Sequence, residues 1–281
     1  MNFNALKMND NILRWLLRLM LILFVVITIF PLFFVLLTSF KTSADFYTNI
    51  WGLPKQMAWE NYHYAWNIAM IGEHFFTSVK IVGVTVLITL IIAAVAGYAL
   101  AKLKIPFADN ILISMFLLSM LPSEAIIMPM YIMISKLGFG GTYASMILPY
   151  IGWGLPITIY IYKNFFSTIP NEILEAARME GCKEGQTFFS IVMPIMLPAT
   201  ATNAIFLFLG WWGEMLWAAV ELSTASMKTL PLGLTAFIQS AGTAWGPLTA
   251  ASCIVLIPVI LVFVFLQRFF ISGLTGGASK G

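Results

Sequence analysis

Long apolar runs separated by short polar stretches dominate the chain. The first covers residues 12–38, and within it residues 19–37 carry no charge. Others cover 78–101, 110–134, 142–162, 198–220 and 248–266. A helix needs about 20 mainly apolar residues to cross about 30 Å of hydrocarbon. Each run is near that length, so the pattern predicts an all-α integral membrane protein with six transmembrane helices in a single domain. Arg14 and Arg18 ahead of the first run also suit the start of a signal peptide. That run is longer than an h-region of roughly 7–15 residues, and no A-x-A cleavage site follows, so it is expected to remain as an anchor.

Composition removes the soluble alternative. Hydrophobic residues make up 60% of the 281 positions and charged ones 10%, too few polar side chains to cover a water-facing surface of this size. The net charge of +3 is spread thinly, which argues against a nucleic-acid partner. Cys182 and Cys253 fall in a polar segment and an apolar run, so neither a disulfide framework nor a metal site is implied.

Lys and Arg residues set the orientation, because positively charged short loops stay in the cytoplasm. Ten fall on one side: Lys7, Arg14, Arg18, Lys102, Lys104, Lys163, Arg178, Lys183, Arg268 and Lys280. Five fall on the other: Lys41, Lys55, Lys80, Lys136 and Lys228. With an even number of spans both termini are predicted to be cytoplasmic, including the tail at 267–281. Residues 39–77 then form an extracytoplasmic loop whose Trp51, Trp59, Tyr62, Tyr64 and Trp66 suit the membrane interface. In the second run Ala93, Ala96, Gly97 and Ala101 leave room for another backbone to approach. Prolines interrupt three others, Pro122 and Pro129, Pro149 and Pro156, then Pro194 and Pro198. Each frees a carbonyl that neighbouring protein must satisfy, as in a bundle that encloses a pathway.

Residues 163–193 are the one substantial cytoplasmic segment. Ser167 or Thr168 suits a helix cap, Pro170 its first turn, and Glu172 and Glu175 the positive end of its dipole. Ile173, Ala176 and Ala177 recur at helical spacing as a narrow apolar stripe. Gly181 ends the helix and Gly185 allows a second one. An amphipathic helix with small contact residues can lie in a groove of another protein, or only against its own bundle.

Glu175-Ala176-Ala177, three residues, Gly181, nine residues and Ile191-Val192-Met193-Pro194 resemble the EAA loop of ABC importer permease subunits, with Met193 where leucine is usual. Gly210-Trp211-Trp212-Gly213-Glu214-Met215-Leu216-Trp217, then Lys228-Thr229-Leu230-Pro231-Leu232-Gly233-Leu234, is similar to segments of the carbohydrate members. So is the ending from Leu266-Gln267-Arg268 to Lys280-Gly281. Gly213, Ala218 and Glu180 replace the more usual Asn, Pro and Asp. The chain is identified by this resemblance as a member of the maltose/oligosaccharide class, of the MalG type, in a bacterial or archaeal cell membrane. What the resemblance implies is a non-enzymatic subunit that pairs with a second, homologous permease, two cytoplasmic ATPase subunits and an extracytoplasmic sugar-binding protein. The family's loop is a coupling element, which assigns ATPase contact to Glu175, Ala176, Ala177, Arg178, Glu180 and Gly181. ATP and Mg would bind the partner ATPase and no cofactor this chain; the sequence has no G-x-x-x-x-G-K-[ST] and no Gly-Lys pair, so it carries no phosphate cradle of that kind.

Glu124 and Glu214 lie inside expected spans, where a charge costs roughly 2.5–3.5 kcal/mol or more. They are candidates to line the translocation path, where Glu214 with Trp212 and Trp217, beside Trp211, has the carboxylate and flat faces that sugars favour. The alternative is that they brace the bundle. Three competing functions differ in class: an ABC importer for a non-sugar solute, an ion-coupled secondary transporter using the two carboxylates, and an intramembrane enzyme. The transporter leaves the EAA-like loop unexplained. The enzyme lacks G-x-S-x-G, H-E-x-x-H and a paired membrane Asp, and its only histidines, His63 and His74, fall outside the spans.

Overall fold

The computed structural model describes residues 3–223, 226–239 and 242–278. Lys280 and Gly281, counted above with the tail, lie outside the described residues. Among the described residues the architecture is helical apart from one two-residue antiparallel pair, β1 (Ile238–Gln239) with β2 (Gly242–Thr243). Among the described residues four helical segments are long and apolar enough to cross a membrane, Ile12–Ser39, Ile71–Lys102, Tyr143–Ser167 and Trp245–Phe269, and two bent pairs raise the number to six if each is one span.

One compact unit comprises the residues up to Ile71 with Leu234–Leu256. Its α1 (Phe3–Ser39) carries Pro31 internally, and none of its apolar window is buried, as suits a helix whose solvent is lipid. After it come α2 (Ser43–Thr48) and α3 (Glu60–His63), which continues as a π-helical turn over Tyr64–Ile68. A polar knot holds this loop. Lys41 is 1% exposed, and its Nζ donates to the carbonyls of Asn49 and Ile50 at 2.7 and 2.8 Å. Asn61 Nδ2 donates to the carbonyls of Ser39 and Lys41, both at 2.9 Å. Two of the aromatics expected at the interface cover the end of the helix: Trp51 packs on Phe34 with ring centres 5.3 Å apart, and Trp59 meets Phe40 edge-on at 4.8 Å.

The other unit comprises Gly72–Gly233 with the residues from Ile257 onward. Helix α4 (Ile71–Lys102) is followed by α5 (Ala108–Ser119) and α6 (Ser123–Lys136), so the run at 110–134 is two helices meeting at 95°. Pro122 causes the break: it has no N–H to continue α5, and it stands as the cap of α6. Helix α7 (Tyr143–Ser167) keeps going through Pro149 and Pro156. The small-residue stripe of α4 packs on α7 as expected. A Cβ on Gly97 would lie 2.7 Å from Tyr162 Cβ and 3.1 Å from the Lys163 nitrogen.

Next come α8 (Asn171–Met179), α9 (Glu184–Gln186), a π-helical stretch Thr187–Val192, α10 (Met193–Ile195) and α11 (Leu197–Trp212). The segment Glu184–Ile195 meets α11 at 75°. The run at 198–220 is not one helix: α11 stops at Trp212, and Gly213–Met215 turn the chain into the short α12 (Leu216–Glu221). Helix α13 (Leu230–Leu234) precedes the hairpin, and α14 (Trp245–Ala278) runs on past residue 266 through part of the expected tail.

Candidate functional site

Helix α8 has nine residues, too few to hold its shape alone in water, so its form depends on what it rests upon. Leu174 and Ala177 are 4% and 3% exposed. Leu174 belongs to a core with Ala93 and Tyr98 of α4, Tyr162 and Phe166 of α7, Phe188, Val192 and Met196. Burying a leucine contributes about 1.5–3 kcal/mol. The expected stripe is split: Ala177 packs inward with Leu174, while Ile173 and Ala176 face outward, because Leu174 and Ala177 stand at i, i+3 and the shape of the core beneath takes the leucine rather than its isoleucine neighbour. The outward face presents Glu172, Ile173, Glu175, Ala176 and Met179.

The start of α8 also differs. Ser167 and Thr168 donate their hydroxyls backward, to the carbonyls of Lys163 and Phe165, each at 2.8 Å. They finish α7 instead of capping α8, and Pro170 is the cap position. The end of α8 explains its glycine. Gly181 has φ +84°, its N–H bonds to the Arg178 carbonyl at 3.0 Å, and the Cys182 N–H reaches back to the Ala177 carbonyl at 3.0 Å. This is a Schellman closure, in which the left-handed position favours glycine. Glu180 is the residue before it, exposed. Arg178 is already engaged: its Nε and Nη2 donate to Glu184 Oε1 at 2.9 and 2.6 Å.

A second feature is a cleft of about 1110 Å³ formed by α5, α6, α7 and the α11–α12 junction. Glu124, Glu214 and Trp217 all line it, with Trp153 and Trp211. Trp212 does not join them. It turns to another side of α11, stacked on Phe208 at 5.1 Å and edge-on to Phe75 at 5.9 Å.

Glu214 is held by protein on both oxygens. Oε2 accepts from the Tyr150 hydroxyl at 2.5 Å and from the Ala218 N–H at 3.3 Å; Oε1 accepts from the Trp217 N–H at 2.6 Å. It thus caps α12, satisfying amide donors that would otherwise be orphaned. Around it Tyr150 lies parallel to Trp211 at 4.5 Å, and Trp217 meets Trp153 edge-on while donating Nε1 to the Ser145 carbonyl at 3.1 Å. Glu124, in the first turn of α6, is exposed and makes no hydrogen bond among the described residues. One carboxylate braces the wall and the other is free to meet whatever enters the cleft.

Sequence reasoning passed over Glu221, which is 3% exposed and accepts from the Gly141 N–H at 2.9 Å. It stands one residue beyond the expected fifth span, and its position at an apolar run's edge was the signal available. Tyr98, whose hydroxyl donates to Glu184 Oε2 at 3.2 Å, gave no signal at all. Among the described residues no group of three or more His, Cys, Asp or Glu side chains could hold a metal ion.

Comparison with known proteins bears on both features. A family model described as "Binding-protein-dependent transport system inner membrane component" matches residues 90–276, a range that contains α8 and the cleft. The chain is 33% identical over 279 residues to the arabinooligosaccharides transport system permease protein AraQ of Halalkalibacterium halodurans, covering 98% of this chain and 99% of that one. It is 30% identical over 252 residues to the melibiose/raffinose/stachyose import permease protein MelC of Bacillus subtilis, covering 89% and 91%. Among solved structures, a chain of a bacterial ABC transporter involved in the import of the acidic polysaccharide alginate superposes with a TM-score of 0.79 at 20% identity, covering 93% of this chain and 98% of that one. At that identity the likeness is one of fold.

Proposed function

The chain belongs to the family of binding-protein-dependent transport system inner membrane components, the permeases of ABC transporters, and from that premise we propose that it is the membrane-spanning subunit of an ATP-driven sugar importer taking oligosaccharides. The names of its relatives support the substrate class. In this role it forms half of the translocation pathway beside a second, homologous permease, and receives sugar from an extracytoplasmic binding protein. On this reading six spans, each bent pair counted as one, leave both termini and α8 on one side, which the Lys and Arg distribution marks as the cytoplasm. There α8 sits in a cleft of one of two ATPase subunits that hold ATP and Mg, and their movement biases the balance between inward- and outward-open states.

The observation that carries this is the two-sidedness of α8, pinned from beneath by Leu174 and Ala177 and closed by Gly181, with its outer face free. A handle must be fixed to what it moves and open to what moves it. The cleft supplies the pathway wall, with Trp153 and Trp211 as flat faces for sugar rings and Glu124 as the carboxylate for hydroxyls. The test is co-purification with the ATPase and transport in reconstituted vesicles. Gly181→Ala forces an L residue into the left-handed region at about 1–2 kcal/mol and is expected to lower bound ATPase while the subunit still inserts. Full ATPase recovery and full uptake with Gly181→Ala and Glu175→Ala together would refute the coupling role.

A further inference from the structure

Helix α8 is clamped to α4 at both of its ends. At the start, Lys102 Nζ donates to the Ile169 carbonyl at 2.6 Å and to Asn171 Oδ1 at 3.0 Å. At the finish, Glu184 collects Arg178 on Oε1 and Tyr98 on Oε2. Tyr98 and Lys102 are one turn apart on the same face of α4, the i, i+4 relation that brings two side chains to one neighbour. Tyr98 is 6% exposed and fixed between Phe166 at 5.6 Å and Phe188 at 5.1 Å. Glu184 in turn begins the segment Glu184–Ile195 that bends into α11. One carboxylate therefore joins the surface helix, α4 and the approach to α11.

An ion pair as exposed as Arg178 with Glu184, at 48% and 50%, adds little to stability. What it does add is geometry, since the two guanidinium bonds converge on a single oxygen and leave the other for Tyr98. We propose that Arg178, Glu184 and Tyr98 are positioning residues through which a displacement of α8 is passed to α4 and to the helix leading into α11. Arg178 then acts inside this chain and not as a contact to the ATPase. The proposal rests on the coupling function given above.

The test uses the full importer complex in vesicles with Cys182→Ser, Cys253→Ser and Ser123→Cys, the last placing a single thiol of this chain in the wall of the cleft. Two quantities are read together: ADP trapped by ATP plus vanadate, and the change this causes in the rate at which a maleimide alkylates the introduced thiol. In the parent complex trapping changes the rate. Glu184→Ala is expected to trap the same ADP per assembled complex while the rate change shrinks by about fivefold, the factor equivalent to one hydrogen bond of ordinary strength. Tyr98→Phe, which deletes one oxygen and keeps the ring packing, should shrink it in the same direction. The double variant should be no worse than Glu184→Ala, because both act through one carboxylate. An undiminished rate change in Tyr98→Phe overturns the proposal even if Glu184→Ala fails to assemble. So does a loss that only tracks the amount of trapped ADP, or losses that multiply in the double variant. A parent complex that traps no ADP, or whose cleft ignores it, overturns the underlying function instead.

Discussion

Replacing Glu214 by alanine separates a brace from a sugar ligand. The substitution strips α12 of its cap and leaves the hydroxyl of Tyr150, a residue 1% exposed, with no acceptor. Cap loss costs about 1 kcal/mol, and an unsatisfied buried hydroxyl about 1–3 kcal/mol. Hydrogen bonds between membrane helices average nearer 0.6 kcal/mol and reach about 1.7 kcal/mol. A total of about 2–3 kcal/mol is expected, read as a loss of stability to unfolding in detergent. Tyr150→Phe alone should cost about 1 kcal/mol, and the double variant should fall short of the sum of the two by about 1 kcal/mol, since the residues share a bond. Glu214→Gln keeps one oxygen to accept from the Trp217 N–H, and its NH2 can donate to the Tyr150 hydroxyl in a reversed bond, so it is expected to lose less stability than Glu214→Ala and to retain uptake. If Glu214→Gln abolished uptake while Glu214→Ala unfolded like the parent, the carboxylate would be a substrate ligand and the bracing account would be wrong.

Three other expectations follow from close contacts. Gly97→Ala puts a methyl 2.7 Å from Tyr162 Cβ with backbone on its other sides. Forcing α4 from α7 in this way should cost about 1–3 kcal/mol, and unchanged thermal stability of the purified subunit would contradict the packing. Lys41→Met removes the two bonds to the Asn49 and Ile50 carbonyls. Losing them should cost about 1–3 kcal/mol and expose residues 42–58 to protease, whereas an undigested loop would show that the knot is held elsewhere. Glu124→Gln, altering an exposed carboxylate with no partner among the described residues, should leave stability within about 0.5 kcal/mol and reduce uptake; reduced stability with full uptake would assign it to the scaffold.

Much of this was legible in the chain because lipid leaves few options. Apolar runs at 12–38, 78–101 and 248–266, and that at 142–162 but for its first residue, lie within helices long and apolar enough to span, since only a helix satisfies its own backbone there. The glycine ending α8 was also readable, as a left-handed closure permits little else. What escaped was whatever depends on a partner far away in sequence. Glu214 and Tyr150 are 64 positions apart, and Tyr98 and Glu184 are 86. No local period reports such pairs, so Glu214 read as an intramembrane charge and Tyr98 drew no reading. The inward face of α8 was read only in part, Ala177 but not Leu174, for a related reason. Ile173 and Leu174 are equally apolar neighbours, and only the shape of the core decides which one turns inward. Trp212 stands apart from Trp211 because adjacent residues on a helix point about 100° apart, and with Trp211 in the cleft wall it packs on Phe75 and Phe208.

On the proposed coupling role, the bend into α11 is where a displacement of α8 would change direction, and its backbone groups are bonded within the protein. Met196 donates its N–H to the carbonyls of Val192 and Met193, both at 3.1 Å. Its own carbonyl accepts from the Thr200 N–H at 2.9 Å and again from Thr200 Oγ1 at 3.0 Å. Thr200 Oγ1 in turn accepts from the Tyr162 hydroxyl at 2.9 Å, which ties the bend to α7. Pro194 and Pro198 supply no N–H on either side, so neither adds a helical bond across the bend, and the Thr200 side chain is what ties Met196 to α7. Thr200→Val keeps the volume and removes both side-chain bonds, one of them from a Tyr162 that is wholly buried. A loss of about 1–2 kcal/mol is expected, within the range for polar contacts between membrane helices. Thr200→Ser keeps the hydroxyl and should recover most of it. Because the change acts on the bend and not on the outer face of α8, bound ATPase should be unaffected while uptake falls. Weakened ATPase binding with Thr200→Val would mean that the bend and the handle are one rigid piece, and full uptake would mean that the bend carries no movement.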